Sequence, residues 1–229
     1  MKSSGDSTSR FLLFCGVLAP VMMMVIILVI GQITPDYNPI SDTISQMGTP
    51  DSPYAIVLNS GYVIYGISMV LATYGLYRSI SSTTTAKILA ILLGIHAIGT
   101  MLLGVFPDSL NLLHKHFTDD LLHNTISAIS YLPLLVGILI FRGIARHEMT
   151  LKVAGILGMV ILIINLPMPV INMIDPLQSI AGLLQRLLSG GSFFWLTLTF
   201  LLLYRKRSAL QRSGSQLGQE ALTVQSASR

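Results

Sequence analysis

Long apolar segments separated by short polar ones dominate this chain. The segments that lack Asp, Glu, Lys and Arg are residues 11–35, 52–77, 88–107, 121–141, 153–174 and 187–204. A helix needs about 20 residues, at about 1.5 Å each, to cross a hydrocarbon core of roughly 30 Å. The last segment is the shortest, but residues 176–204 contain a single charge, Arg186, so a full span fits there. The pattern predicts an all-α fold, a polytopic membrane helix bundle of six transmembrane helices.

The first apolar segment follows Lys2 and Arg10, an arrangement that is also typical of secretory signals. Its apolar stretch is longer than the roughly 7 to 15 residues of a signal, and no small-x-small cleavage motif precedes the polar loop. We therefore interpret it as the first span. The single cysteine, Cys15, lies inside this segment, so it indicates neither an intrachain disulfide nor a metal site.

Composition and charge agree with this interpretation. The chain is 52% hydrophobic and 10% charged, whereas a soluble domain is about 25% charged. If the chain crosses at each segment, one side carries Lys2, Arg10, Arg78, Lys87, Arg142, Arg146, Lys152, Arg205, Lys206, Arg207, Arg212 and Arg229, and the other carries Lys115. Because basic residues of short loops stay in the cytoplasm, this asymmetry predicts a multi-pass protein of the cell membrane with both termini cytoplasmic. The net charge of +4 then reflects topology and attraction to the lipid bilayer, and no basic stripe with interleaved aromatic residues suggests nucleic acid.

The chain divides into three parts. Residues 1–10 are a cytoplasmic N-terminal segment, residues 11–207 the six-helix transmembrane domain, and residues 208–229 a cytoplasmic tail. The tail is rich in Ser, Gln and Gly, so we expect it to be disordered. The longer loops, residues 36–53 and 108–120, fall on the outer side and are the places where unusual chemistry could be held.

Polar residues inside the spans gather towards the outer half of the bilayer. Counting the rise per residue places Asn59, His123 and Arg186 in outer halves and His96 near the midplane. Ionisable groups in a span are costly, so each is a functional candidate that we expect to face the bundle interior or a water-filled cavity. His96 shares a helix face with Thr100, and helix packing explains this pair.

The first outer loop contains Tyr37-Asn-Pro-Ile-Ser-Asp42 before a predicted short helix over residues 43–47. Ser41 or Asp42 would be a natural N-cap, because Ser and Asp accept hydrogen bonds from the free N–H groups of a first turn. In the alternative interpretation both side chains turn into the bundle and face the other polar groups. Asp42 would then pair with Arg186.

The second outer loop contains possible metal ligands, Asp108, His114 and His116, and His123 follows it. Histidine and carboxylate are ligands that zinc accepts, and three of them with one open position make a catalytic site. The signal is weak, because a His-x-His spacing splays two rings apart and no His-Glu-x-x-His motif is present. His123 shares a helix face with Ser127, and a histidine hydrogen-bonded across helices is the alternative role.

The fifth apolar segment contains Asn165-Leu-Pro-Met-Pro169. Two prolines remove two backbone donors, which predicts a kink or an unwound stretch. Broken helices occur near binding sites in transporters, where they come in matched pairs, and no matching partner is evident here.

Several of these features resemble the bacterial and archaeal family of six-pass membrane proteins called domain of unknown function 998. The features are Gly16 and Pro20, the Ile-Ser-Asp core of residues 37–48, Asn59-Ser-Gly61, Phe106-Pro107 and His123. The resemblance runs from about Phe11 to Arg205. It implies the six-pass fold and topology, and it implies no activity.

Two classes of function follow. The favoured one is an integral membrane protein with a polar pocket in the extracytoplasmic half that binds a lipid or small molecule, and its candidate residues are Ser41, Asp42, Asn59, Asp108, His123, Ser127 and Arg186. The alternative is a metal-dependent intramembrane hydrolase acting at the outer face, with zinc held by ligands from among His123, Asp42, Asp108, His114 and His116. We favour the first class because such hydrolases generally have a tighter ligand motif.

Overall fold

The computed structural model describes residues 3–80, 83–108, 121–166 and 179–227. Within them the chain forms six α-helices, which are α1 Ser3–Ile33, α2 Ala55–Ser79, α3 Thr84–Val105, α4 Leu121–Ala145, α5 Met149–Asn165 and α6 Ala181–Ala227. A short 3₁₀-helix, Ser45–Gly48, lies in the loop between α1 and α2. No described residue lies in a β-strand, so the prediction of an all-α fold is confirmed.

Five of the described helices are long and apolar enough to cross a bilayer. The qualifying segments are Ser7–Ile33, Ala55–Ser79, Thr84–Val105, Leu121–Ala145 and Ala181–Ser213. The remaining helix, α5, is also apolar but has 17 residues, which is about 26 Å at 1.5 Å per residue. These helices form a polytopic membrane helix bundle.

Local sequence accounts for the start of α3, and α5 ends next to a proline. α3 begins after Thr83, whose hydroxyl accepts a hydrogen bond from the Ala86 N–H at 3.3 Å and so acts as its N-cap. α5 ends at Asn165, just before Leu166 and Pro167. Leu166 still has helical backbone angles, φ −57° and ψ −42°, and its N–H donates to the Leu162 carbonyl at 2.9 Å, so helical geometry continues up to the residue before Pro167. The rest of the predicted fifth segment, residues 167–174, lies outside the described residues.

Apolar side chains cover the outward faces of the bundle as well as its interior. Ile56, Leu121, Met149 and Val153 are each more than 60% exposed. A helix of a soluble protein places polar residues on its outward face, whereas a helix that is apolar all round suits a lipid environment. The outer surface is therefore the one expected of a bundle surrounded by acyl chains.

The helices are arranged as a closed ring. Each of α1 to α5 packs against the next helix in the chain, and α6 packs against α1 as well as α5. The interior contains large side chains with no exposed surface, among them Tyr65, Phe141, Trp195 and Phe200. The Phe200 ring fills the space beside Gly16, where a side chain of any size would clash with it. Such small residues let membrane helices approach closely.

The start of α1 and the C-terminal part of α6 lie at the same end of the bundle. Arg10 near the start of α1 donates to Gln211 and to the Tyr204 hydroxyl of α6, both at 3.1 Å. Lys206 of α6 forms an ion pair with Glu148, just before α5, at 2.7 Å. We call this the basic end, and we call the opposite end, which carries residues 34–54, the loop end. A chain whose first helix starts at the same end as its last helix finishes crosses the bundle an even number of times.

The C-terminal residues differ from expectation. Composition predicts disorder for residues 208–229, whereas α6 continues as helix to Ala227. Two effects explain the difference at its start. A helix that already exists propagates at little cost, and Gln211 is held by Arg10.

Candidate functional site

The loop between α1 and α2 closes over the start of α6. The Leu183 N–H donates to the Ile40 carbonyl at 2.9 Å, and the Gly182 N–H donates to the Ser41 carbonyl at 3.3 Å. The first N–H groups of a helix have no partner within the helix. Carbonyl groups of the loop therefore cap α6 where a side chain would ordinarily do so.

Gly182 allows this close approach. A Cβ atom at this position would overlap the Asp42 carbonyl and would lie 2.8 Å from the Pro39 carbonyl oxygen. Both neighbours are backbone atoms, which cannot move aside as a flexible side chain can. The loop can rest on α6 only because this residue has no side chain.

Arg186, one turn after Gly182, ties the loop to α6. Its Nη1 donates to the carbonyl oxygens of Pro39 at 2.7 Å, Asp42 at 3.0 Å and Gly182 at 3.0 Å. Its Nη2 donates to the Tyr37 hydroxyl. The guanidinium thus satisfies several carbonyls at once, as its fork of donors permits. The contact between Arg186 and Asp42 that the alternative interpretation proposed runs through the main chain and not through the carboxylate.

The Asp42 carboxylate stabilises its own loop. Its Oδ2 accepts from the Asn38 N–H at 2.8 Å, and its Oδ1 accepts from the Ser41 hydroxyl at 3.0 Å. The short helix predicted at residues 43–47 is present as Ser45–Gly48, but no side chain caps it. Neither Ser41 nor Asp42 therefore acts as the N-cap of this short helix.

Tyr37 completes this cluster. Its hydroxyl donates to the carbonyls of Asp42 and Thr43, each at 2.9 Å. Burial raises the pKa of the Tyr37 hydroxyl, and the hydrogen bond and charge of Arg186 oppose that rise. Since burial is the larger effect, the neutral phenol is the favoured form.

A second group of predicted residues lines a cavity of about 40 Å³ at the loop end. Asn59 of α2, Asp108 after α3, and His123 and Ser127 of α4 all contribute to its wall, together with Gln185 of α6. A cavity needs roughly 10 to 15 Å³ to hold one water molecule, so this one has room for a few. Asp108 is 7% exposed, and a carboxylate this buried is ordinarily paired or hydrogen-bonded.

The walls of the cavity are held by hydrogen bonds to the main chain. Asn59 donates to the Gly48 carbonyl at 2.9 Å. The Nδ1–H of His123 donates to the Phe106 carbonyl at 3.1 Å, which joins α4 to the end of α3. Gly104 of α3 packs directly against the Asn59 carbonyl, where a Cβ atom would not fit. The cavity is thus built where α2, α3, α4, α6 and the loop meet.

Gln185 joins the two groups. Its side chain lines the cavity, and its Oε1 accepts from the Ile44 N–H at 2.5 Å. The next residue, Arg186, lines a separate crevice of about 90 Å³ between α1 and α6, with Ile44, Ile27 and Phe193 among the apolar walls. A polar cavity and an apolar crevice therefore lie on either side of the same turn of α6.

A zinc site is not formed by the described members of the alternative ligand set. Among the residues that the structure describes, no three His, Cys, Asp or Glu side chains form a group that could hold a metal ion. His123 and Asp108 line the same cavity, while the Asp42 carboxylate binds within its own loop. The other two predicted ligands, His114 and His116, lie outside the described residues.

A further polar cluster is centred on His96. The sequence predicts a packing role for His96 and Thr100, and the cluster also includes Tyr65 and Ser130. The His96 Nδ1–H donates to the Ser130 carbonyl of α4 at 3.0 Å, and its Nε2 therefore accepts from the Tyr65 hydroxyl of α2 at 2.9 Å. The Thr100 and Ser130 hydroxyls are 2.8 Å apart. His96 is 5% exposed, so these bonds hold three helices together in the interior.

Helices of this length, an apolar exterior and buried polar groups at one end define a polytopic membrane helix-bundle protein. A family model described as "Protein of unknown function (DUF998)" matches residues 17–202. Since this is more than half of the chain, the protein belongs to that family, and the resemblance seen in its sequence is confirmed. No curated protein and no solved structure shows a significant match.

Proposed function

We propose that this protein uses the cavity at its loop end to bind a lipid or a small molecule on the outer side of the cell membrane. The observation that carries the proposal is the convergence of Asn59, Asp108, His123 and Ser127 on one cavity. Their segments are far apart in sequence, and each side chain can donate or accept hydrogen bonds. A cavity with a few convergent polar groups is the usual form of a small-molecule site.

The volume of the cavity limits the size of the chemical group that it can bind. A volume of about 40 Å³ suits a polar group of a few atoms, such as part of a lipid headgroup, and excludes a whole lipid. The apolar crevice beside Arg186 could then accept part of an acyl chain. Both openings flank one turn of α6, which favours an amphiphilic ligand over a purely polar one.

The orientation is part of the proposal. The charge asymmetry of the loops supports a cytoplasmic basic end, and hence both termini inside the cell. The loop end then faces outward, and the short apolar helix α5 is proposed as the fifth of six crossings.

The test is the identity of what copurifies with the protein. Ser127→Leu places an apolar side chain in the cavity wall, whereas Thr125→Leu makes the same kind of change on an exposed position of α4. Lipids and small molecules extracted from each protein, purified in mild detergent, are identified by mass spectrometry. We expect a species bound by wild type and by Thr125→Leu to be depleted in Ser127→Leu. Equal content in all three proteins would contradict the proposal.

The zinc content of the same protein preparations tests the hydrolase alternative. Elemental analysis should find less than one zinc per chain. About one zinc per chain, lost in His123→Ala and retained in Thr125→Leu, would replace a binding function with metal-dependent chemistry.

A further inference from the structure

A groove at the basic end concentrates arginine side chains. Its volume is about 500 Å³, and it lies between the start of α1 and the C-terminal extension of α6. The side chains that matter for binding are Arg10, Tyr204, Arg205, Ser208, Arg212 and Ser213. No Asp or Glu is among the described residues that line it. We call it the arginine groove.

Arg10 is held in position by α6. It donates to Gln211 and to the Tyr204 hydroxyl, and its guanidinium lies 5.3 Å from the centre of the Tyr204 ring. These contacts use two of the five N–H donors of a guanidinium. Its buried Nε has no hydrogen-bond partner. The Arg10 side chain is therefore held in place and still has N–H groups that can donate to a ligand.

Arg205 and Arg212 add two exposed cations on the same helix. They are two turns apart, so they project from the same face of α6. Among the described residues, no carboxylate forms an ion pair with either of them. Three guanidinium groups that share a groove with no Asp or Glu among its described lining residues form a site for a multiply coordinated anion.

The depth of the groove indicates which anion reaches it. The first apolar segment starts directly after Arg10, and the last one ends at Tyr204, directly before Arg205. The groove therefore lies at the level where the hydrocarbon core gives way to headgroups. Phosphate groups of lipids are found at that level, and basic pockets between membrane helices bind anionic headgroups.

We infer that the arginine groove binds the phosphate of an anionic phospholipid, and that Arg10, Arg205 and Arg212 donate hydrogen bonds to the phosphate oxygens. Ser208 and Ser213 line the same groove. This site is at the opposite end of the bundle from the cavity at the loop end. It does not depend on the proposed function of that cavity.

The test compares two double variants of the full chain in an uncharged detergent, where the surface potential of a bilayer is absent. Arg205→Gln/Arg212→Gln removes two charges from the groove. Arg78→Gln/Arg146→Gln removes two charges from the same end but outside it. Binding of short-chain phosphatidylglycerol is measured by native mass spectrometry, with phosphatidylcholine as the uncharged reference.

We expect the groove variant to bind phosphatidylglycerol at least about tenfold more weakly than wild type, since a charge-assisted hydrogen bond contributes about 1.5 to 3 kcal/mol. The control variant should keep wild-type binding, and phosphatidylcholine should bind poorly to all three. Equal losses in both variants would overturn the site. Binding of inorganic phosphate with the same dependence on the groove, but without selective binding of phosphatidylglycerol, would overturn the lipid as its ligand.

Discussion

Arg186 donates to the main-chain carbonyl of Asp42 at 3.0 Å, while the carboxylate of Asp42 accepts from Asn38 and Ser41 in its own loop. The positive charge of Arg186 thus faces carbonyl dipoles, and not the Asp42 carboxylate of the alternative interpretation. This relationship makes Arg186 the centre of the contact between the first loop and α6.

Arg186→Ala should lower the detergent stability of the protein. The substitution leaves the carbonyls of Pro39 and Asp42 without a donor, and losing hydrogen bonds to a charged group costs about 1.5 to 3 kcal/mol. Arg186→Lys should recover part of the loss, because lysine retains the charge but not the fork of donors. Melting is followed by thermal denaturation in detergent, with exposed Arg146→Ala as control. An Arg186→Ala protein that melts like wild type would place this side chain at the headgroups.

Gly182→Ala should destabilise the same contact by overlap. The added Cβ meets the backbone carbonyl of Asp42, and overpacking of this kind costs about 1 to 3 kcal/mol. Gly190→Ala is the matched control, since it lies on the same helix and no atom lies within 4 Å of its added Cβ. The two variants are compared by melting temperature. Equal melting would mean that the loop does not rest on α6 at Gly182.

Alkaline pH should weaken the loop through Tyr37. Burial raises the pKa of its hydroxyl, so the folded protein binds the proton more tightly than the unfolded chain. Its contribution is then complete below the unfolded pKa of about 10 and is lost as pH rises above it. We expect melting temperature to fall above about pH 10 in wild type and to fall less steeply in Tyr37→Phe. Tyr54→Phe, in the same loop, is the control for the loss of a tyrosine hydroxyl.

Tyr65→Phe should destabilise the interior by stranding His96. The variant removes the hydroxyl that donates to Nε2 at 2.9 Å and changes little else. Hydrogen bonds between membrane helices contribute about 0.6 kcal/mol on average and up to about 1.7 kcal/mol, and we expect the upper part of this range because His96 is buried. Tyr74→Phe on the same helix is the control, since Tyr74 is 55% exposed. Identical melting of the two variants would show that the bond to His96 contributes nothing.

The helices could be predicted from sequence because each depends on local hydropathy. Asn59, Asp108, His123 and Ser127 could be named as polar candidates for the same reason. Their meeting at one cavity, and the use of the Asp42 carbonyl by Arg186, depend on how the helices pack, which no local pattern encodes. The His96 cluster requires Tyr65 and Ser130 from neighbouring helices, so the face that His96 shares with Thr100 could predict a packing role but not these partners. Composition predicts disorder for residues 208–229, whereas α6 continues as helix to Ala227, since a helix that already exists propagates at little cost.

The orientation of the bundle should be measurable with single cysteines in a Cys15→Ala background. Asp51 lies in the loop at the loop end and Thr85 near the start of α3, and both are exposed. They lie at opposite ends because α2 separates them. If the basic end is cytoplasmic, as the charge asymmetry predicts, Asp51→Cys should react with a membrane-impermeant thiol reagent in intact cells. Thr85→Cys should react only after permeabilisation. Labelling of Thr85→Cys alone would reverse the orientation, and labelling of both in intact cells would contradict a membrane span between them.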